Sequence, residues 1–236
     1  LTTGNIIASI QKWADIKQIN VNWLTLSDFF TEVKRKKLLL NFGTLVGHAT
    51  LRRNIVGDEF RELTEKELAQ MKHMLAEALT EGALGFSTGL AYSHAKAANT
   101  DEIVSLVSDL KSNKVYSAHL RNEEEKLYEG ISEAIDAAKK TKANVEISHL
   151  KSVGRENWNL FDKSLEAIER AAEEGININF DIYPYTSTAT VFYTMLPDWI
   201  AVGGRMKLIE NLKNPDLRKK AMEEMKDKEK DFSDII

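Results

Sequence analysis

The 236-residue chain contains no cysteine. That excludes a disulfide, a thiolate metal ligand and a thiol nucleophile from its own residues. It fits a reducing compartment, and a cytoplasmic location is the expectation. The chain also lacks any apolar run near the roughly 20 residues that span a bilayer; "KLLLNFGTLVG" is among its longest, so no membrane partner is expected. Cations are not in excess: 32 Lys and Arg stand against 36 Asp and Glu, for a net charge of -4. They are spread along the chain, which argues against a nucleic-acid partner. No G-x-G-x-x-G follows a strand-like run and no G-x-x-x-x-G-K-[ST] is present, which weakens a nucleotide-binding sheet. The start, "LTTGNIIASI", has neither a basic region nor a long apolar stretch, so it does not read as a signal peptide, and it has no initiator Met. The end, "KDKEKDFSDII", stops in charged, helix-like sequence. The chain is therefore expected to be an internal segment of a longer protein.

What is present is ordinary for a globular protein: 43% hydrophobic and 29% charged residues. Strand-like and helix-like segments alternate. "KLLLNFGTLVGH" (37–48) reads as a buried strand. Thr64 opens a capping box with Glu67, and Leu68, Met71, Leu75 and Leu79 follow at helical spacing up to Gly82. "ALGFST" (83–88) reads as a short strand. Asp101 and Glu102 favour the next helix start, whose apolar face is Ile103, Leu106, Val107 and Leu110. "VYSAH" (115–119) is a strand, and Leu127, Ile131, Ile135 and Ala138 mark a helix. "VEISH" (145–149) is a strand, followed by a helix with Leu165, Ile168 and Ala172 that Gly175 ends. "ININFDIY" (176–183) alternates as a strand, and 197–228 reads as charged helix. Strands separated by helices pair in parallel through crossovers. The expected fold is α/β, with about five parallel strands alternating with helices. A (β/α)8 barrel and a doubly wound sheet both remain open on this pattern. Residues 1–196 form the expected main body, and 197–236 a charged helical insertion or continuation.

In a parallel barrel, chemistry sits at the C-terminal ends of strands. One strand here ends at His119 and the next at His149, each followed by Leu and a cation. The strand before them runs into Tyr92, and the strand after into Asp181, Tyr183 and Tyr185. Neighbouring strands lie about 4.8 Å apart, so two imidazoles could converge on one metal, and neutral imidazole suits zinc. A hydrogen-bonded structural role for each histidine stays open, as does simple solvation of Lys151 and packing of the tyrosines. His48 reads as structural or as a support behind the site's ligands, and His73 as surface or packing, while His94 has no assignment. The Glu123–Glu125 run reads as a solvated helix start.

Taken together, "LVGHATLR", "EGALGFSTGLAY", "YSAHLRNE", "EISHLKSVGRENW" and "DIYPYTSTAT" resemble, in order and spacing, the N-acyl-D-amino-acid deacylases (D-aminoacylases) of the metal-dependent amidohydrolase superfamily. The resemblance runs from about Trp23 to about Thr190. It implies a partial (β/α)8 TIM-type barrel, zinc, and hydrolysis of the amide bond of small-molecule N-acyl-D-amino acids. Carried over residue by residue, His119 and His149 match metal ligands. Lys151 and Tyr183 match residues at the substrate carboxylate, and Tyr92 one beside the substrate. The family usually has Ser at the position of Ala189, and prolines in the loop after Tyr92 where this chain has "SHAKAAN". Its His-x-His pair, cysteine ligand, general-base aspartate and substrate arginine have no counterpart here. The resemblance thus implies that these residues supply about five of eight strands and half of a zinc site. The chain alone is expected to be inactive and to self-associate through open barrel edges. A cyclic amidase of the dihydropyrimidinase type and a non-catalytic barrel scaffold are the alternative readings.

Overall fold

The computed structural model describes residues 23–185 and 187–226. The expectations about the two chain ends fall outside these residues. Helix α1 (Leu26–Lys36) starts on a Thr25–Asp28 capping box. Strand β1 is only Val46–Gly47, and helix α2 follows at once over His48–Val56. The long strand expected over 37–48 is not formed. Leu39 and Leu40 are 102% and 83% exposed, so most of that apolar run has no partner to pack against. Helix α3 (Glu65–Thr80) carries the expected Thr64–Glu67 box and ends before Gly82, whose φ is +113°. Strand β2 (Gly85–Gly89), helix α4 (Thr100–Val107) and strand β3 (Val115–His119) come next. Helix α5 (Leu127–Thr141), strand β4 (Asn144–Ile147), helix α6 (Asn159–Glu173) and strand β5 (Ile178–Phe180) complete the alternation. On α6 the buried stripe is Ser164, Ala167, Ile168 and Ala171; the expected Ala172 faces out.

All five strands are parallel and stand in the order β1-β2-β3-β4-β5. That order decides between the two open architectures. Right-handed crossovers between strands that never reverse direction put every helix on one face, as in a barrel; a doubly wound sheet needs a reversal. Accordingly α2, α3, α4, α5 and α6 pack against one another in sequence along that face. Phe86, Tyr116, Val145, Ile147 and Ile178 fill the space beneath them with Met71, Leu75, Ile103, Leu106 and Ile131. The opposite face carries Ser87, Ser117, Glu146 and Asn179, none of them buried. β2 and β3 approach closely at Gly85, where a Cβ would lie 1.9 Å from the Val115 carbonyl oxygen.

From Asp198 the described chain is helical, as expected over 197–228: α7 (Asp198–Ala201), α8 (Gly204–Lys213) and α9 (Pro215–Lys226). Pro215 opens α9, where a missing N–H costs nothing. Leu196, Ile200 and Ala221 form a small second cluster with Trp199 and Leu212. No helix among the described residues is long and apolar enough to cross a membrane.

A buried ion network ties α2 to α4. The Glu102 carboxylate accepts from Arg52 Nη1 at 2.6 and 2.7 Å and lies 2.8 Å from His48 Nε2. Arg52 also donates to the Arg61 carbonyl. Burial raises the Glu102 carboxyl, but the bonds from His48 and Arg52 outweigh it and hold the group below its ordinary value. His48 is therefore a structural residue at the head of α2, and Glu102 is more than a helix-start charge.

Candidate metal centre

Alternation along β3 sends Tyr116 and Ala118 into the helix-covered core and His119 to the other face. Leu120 is buried again, and the same pattern recurs at His149 and Leu150. Each His-Leu-cation triplet thus anchors its leucine in the core and leaves its histidine at the strand mouth. The two cations then diverge. Arg121 turns back to Glu133 on α5, at 2.8 and 2.9 Å, and to the carbonyls of Lys96 and Ala98. It fixes the loop that carries Tyr92. Lys151 turns into the site.

His149 sits in the left-handed region, with φ of 42°. Such a conformation costs a non-glycine residue roughly 1–2 kcal/mol. Its amide donates to Asp181 Oδ1 at 2.6 Å, and Leu150 N–H donates to the Asp181 carbonyl at 2.9 Å. These bonds from the end of β5 hold the turn that aims the His149 ring across β4 toward β3.

The result is a compact cluster. His119 Nδ1 and His149 Nε2 lie 2.8 Å apart, with the rings edge to face at 4.6 Å. The Tyr92 ring stacks on His119 at 5.1 Å, and His94 stacks on Tyr92 at 6.2 Å. Lys151 Nζ lies 2.9 Å from His149 Nδ1 and 2.7 Å from Glu123 Oε1. The Tyr183 ring lies 5.8 Å from the same ammonium and stacks loosely on Tyr185. The structure thus brings His119, His149, Lys151, Tyr92 and Tyr183 to one strand mouth.

Glu123 belongs to this cluster too, contrary to the solvated role expected from sequence. Helix α5 begins only at Leu127. Asn122 Oδ1 accepts from the amides of Glu124 and Lys126 at 2.9 Å, turning the backbone before the helix. The Glu123 side chain is 12% exposed, with Oε1 at 3.1 Å from His149 Nδ1 and 4.0 Å from His119 Nδ1. Local sequence shows only a run of acids; the burial comes from Lys151 and His149, nearly thirty residues away.

Electrostatics keep His119 neutral. Burial pushes the His119 imidazole down to about 4, with His149 and Lys151 adding to the effect and Glu123 opposing it. His119 is thus neutral at pH 7, its lone pair available. Burial raises Glu123, but hydrogen bonds from His149 and Lys151 outweigh it, so the carboxylate stays ionised. Burial, helped by the Glu123 charge, raises Tyr92, which keeps its phenolic proton. Donor atoms of His119, Glu123 and His149 lie within 4.8 Å of one another. Two imidazole nitrogens facing each other beside a carboxylate are a donor set that zinc accepts.

No protein-family profile matches the chain. Over 173 residues it is 32% identical to N-acyl-D-glutamate deacylase of Alcaligenes xylosoxydans xylosoxydans, covering 73% of this chain and 36% of that protein. It is 34% identical over 169 residues to the N-acyl-D-aspartate deacylase of the same organism, covering 71% of this chain and 34% of that protein. Among solved structures it is similar to N-acyl-D-glutamate deacylase from Bordetella bronchiseptica, which is complexed with zinc and a phosphonate inhibitor. The TM-score is 0.66 at 32% identity, over 69% of this chain and 35% of that one. A D-aminoacylase described as defining a subset of amidohydrolases matches with a TM-score of 0.65 at 32% identity, over 69% of this chain and 34% of that one. The chain spans about a third of the length of the curated relatives it matches. With five parallel strands in barrel order, a histidine pair at their mouth and these relatives, the chain belongs to the N-acyl-D-amino-acid deacylase (D-aminoacylase) family of amidohydrolases.

Proposed function

We propose that these residues supply the middle strands, two metal ligands and the carboxylate pocket of a zinc-dependent N-acyl-D-amino-acid deacylase. The observation that carries this reading is the facing pair His119 Nδ1 and His149 Nε2 at 2.8 Å, flanked by Tyr92 and Lys151. His119 and His149 would hold the zinc, which when bound supplies an activated water and a polarised acyl carbonyl. Lys151 would hold the carboxylate of the amino acid as a compact point charge. Tyr183, next to that ammonium, would donate its hydroxyl to the same carboxylate. Tyr92 shields one face of His119 from water and presents a phenolic proton. The hand of the substrate would be read by where its carboxylate is held relative to the histidine pair. The general base is proposed to lie outside these residues.

The remaining parts of the reading rest on narrower support. A main body over 1–196 with 197–236 as a continuation is supported, among the described residues, by the separate cluster around Leu196, Ile200 and Ala221. A cytoplasmic location rests on the cysteine-free composition. Self-association rests on the outer edges of β1 and β5, unpaired among the described residues, and on the exposed Leu38, Leu39, Leu40 and Phe42 before β1. The activity is tested by offering the complete gene product N-acetyl derivatives of D- and L-glutamate, aspartate and methionine, with and without a chelator. Chelator-sensitive release of the D-amino acid is expected. Hydrolysis of a hydantoin or dihydropyrimidine instead, or equal turnover of both enantiomers, would overturn the reading.

A further inference from the structure

Tyr92 reaches the histidine pair from a segment with little to stiffen it. Residues 90–99, between β2 and α4, form turns rather than a regular element and hold no proline, so no ring fixes their φ angles. The Tyr92 ring nonetheless lies on His119 at 5.1 Å with 14° between the planes. Backbone bonds hand its position down the loop. The Tyr92 carbonyl accepts from the amides of Ala95 and Lys96 at 2.9 and 3.0 Å, and the Ala95 carbonyl from the amide of Ala98 at 3.0 Å. The next two carbonyls along this path, those of Lys96 and Ala98, accept from one guanidinium, Arg121, at 3.2 and 2.9 Å. Arg121 stands two residues past His119, the histidine that the tyrosine covers. The rest of its fork, Nε and Nη2, donates to the Glu133 carboxylate at 2.9 and 2.8 Å. Glu133 is 12% exposed and also accepts from the hydroxyl of Thr100, where α4 begins, at 2.8 Å.

We propose that Arg121, set by Glu133, is the positioning residue for Tyr92: it ties the far half of the loop to the end of β3 and so holds the phenol ring on His119 and at the substrate. Arg121 and His119 share one short stretch of backbone, so the anchor of the loop and the partner of the ring move together. The planar guanidinium meets a carboxylate and two carbonyls at once, which the compact charge of a lysine does not reproduce. Arg121 touches no reacting atom, and its effect on the reaction passes through Tyr92. The part of this inference that concerns substrate rests on the deacylase reading above. The part that concerns the ring does not, and the experiment keeps the two apart.

The wild type is compared with Arg121→Met, Glu133→Gln, Tyr92→Leu, and Arg121→Met combined with Tyr92→Leu. In the metal-free 236-residue chain, with only tyrosine and histidine protonated, nuclear Overhauser contacts between the Tyr92 and His119 rings report the stack. They are expected in the wild type and weakened or lost in Arg121→Met and Glu133→Gln, with the far-ultraviolet circular dichroism unchanged. Contacts at full strength in either variant overturn the proposal, as does their absence from the wild type. Glu133→Gln leaves the loop after β3 intact, so it decides the matter if Arg121→Met does not fold. In the complete gene product, kcat/KM for N-acetyl-D-amino acids is expected to fall by about 100-fold in Arg121→Met, the scale on which a small misplacement acts. It should fall no further in the double variant than in Tyr92→Leu alone, because two residues that act through one contact are not additive. An unchanged rate in Arg121→Met, or an equal loss in both backgrounds, gives Arg121 no role through Tyr92 and overturns the proposal. If the complete gene product hydrolyses no N-acyl-D-amino acid, the deacylase reading falls, and the ring contacts alone decide the role of Arg121.

Discussion

Replacing Glu102 by Gln keeps the shape of a side chain that α2 and α4 share, and removes its charge. Arg52 and Glu102 are 1% and 5% exposed, so water does not reach the guanidinium when its counter-ion goes. Breaking one partner of a buried pair typically costs about 3–5 kcal/mol, because the other charge stays buried. The glutamine carbonyl still accepts one bond from Arg52, which places the expected loss near the lower end, about 3 kcal/mol. For a chain of this size each kcal/mol moves the midpoint by roughly 2–4 °C, so the thermal transition should fall by roughly 6–12 °C. Urea denaturation followed by far-ultraviolet circular dichroism gives the free energy directly, with the slope checking that the denatured state is unchanged. Converting the trio together, His48→Leu, Arg52→Met and Glu102→Leu, should recover most of the loss, since apolar replacement of a buried network is often neutral or better. A loss below about 1 kcal/mol for Glu102→Gln would mean that solvent screens Arg52, and the reasoning would be refuted. Zinc uptake should be unaffected, because none of the contacts of Glu102 reaches the histidine pair.

Two further outcomes are expected. His119 titrates near 4 in the folded chain and near its ordinary 6.5 when unfolded, so the unfolded state takes up the proton first. Its contribution is fully present above pH 6.5 and is lost as pH falls toward 4. A proton NMR titration in which the His119 ring signal moves with a midpoint near 6.5 would contradict this. The exposed run Leu38–Phe42 and the open sheet edges should make the chain associate, so its sedimentation coefficient should rise with concentration. A single concentration-independent monomer boundary would speak against it.

The histidine pair was legible in sequence because His119 ends a strand, His149 follows the end of the next, and they stand one βα unit apart, a signal that periodicity and spacing carry. The helices were equally plain; the Thr64–Glu67 box and the Leu127–Ile131–Ile135–Ala138 stripe appear where expected. β1 was misjudged because an apolar run reports a wish to be buried, and only Val46 and Gly47 find a partner strand. Glu102 and Glu123 were both read as helix-start charges, since their partners lie far off in the chain: Arg52 by 50 residues and Lys151 by 28. Charge pairing across that separation leaves no local trace. The left-handed turn at His149 is similarly silent, being held by Asp181 just past the next strand.

The strand order has a kinetic consequence. Each strand pairs only with its neighbours in sequence, and paired residues such as Gly85 with Val115 and Val115 with Asn144 stand 30 and 29 residues apart. Closing a loop costs entropy that grows only with the logarithm of its length, so every added unit meets nearly the same barrier and none waits for a distant part of the chain. Such a sheet grows by extension from whichever neighbours meet first. His119 and His149 become neighbours when the third and fourth strands dock, but the turn that aims His149 waits for Asp181, so the histidine pair is completed only as the fifth strand joins.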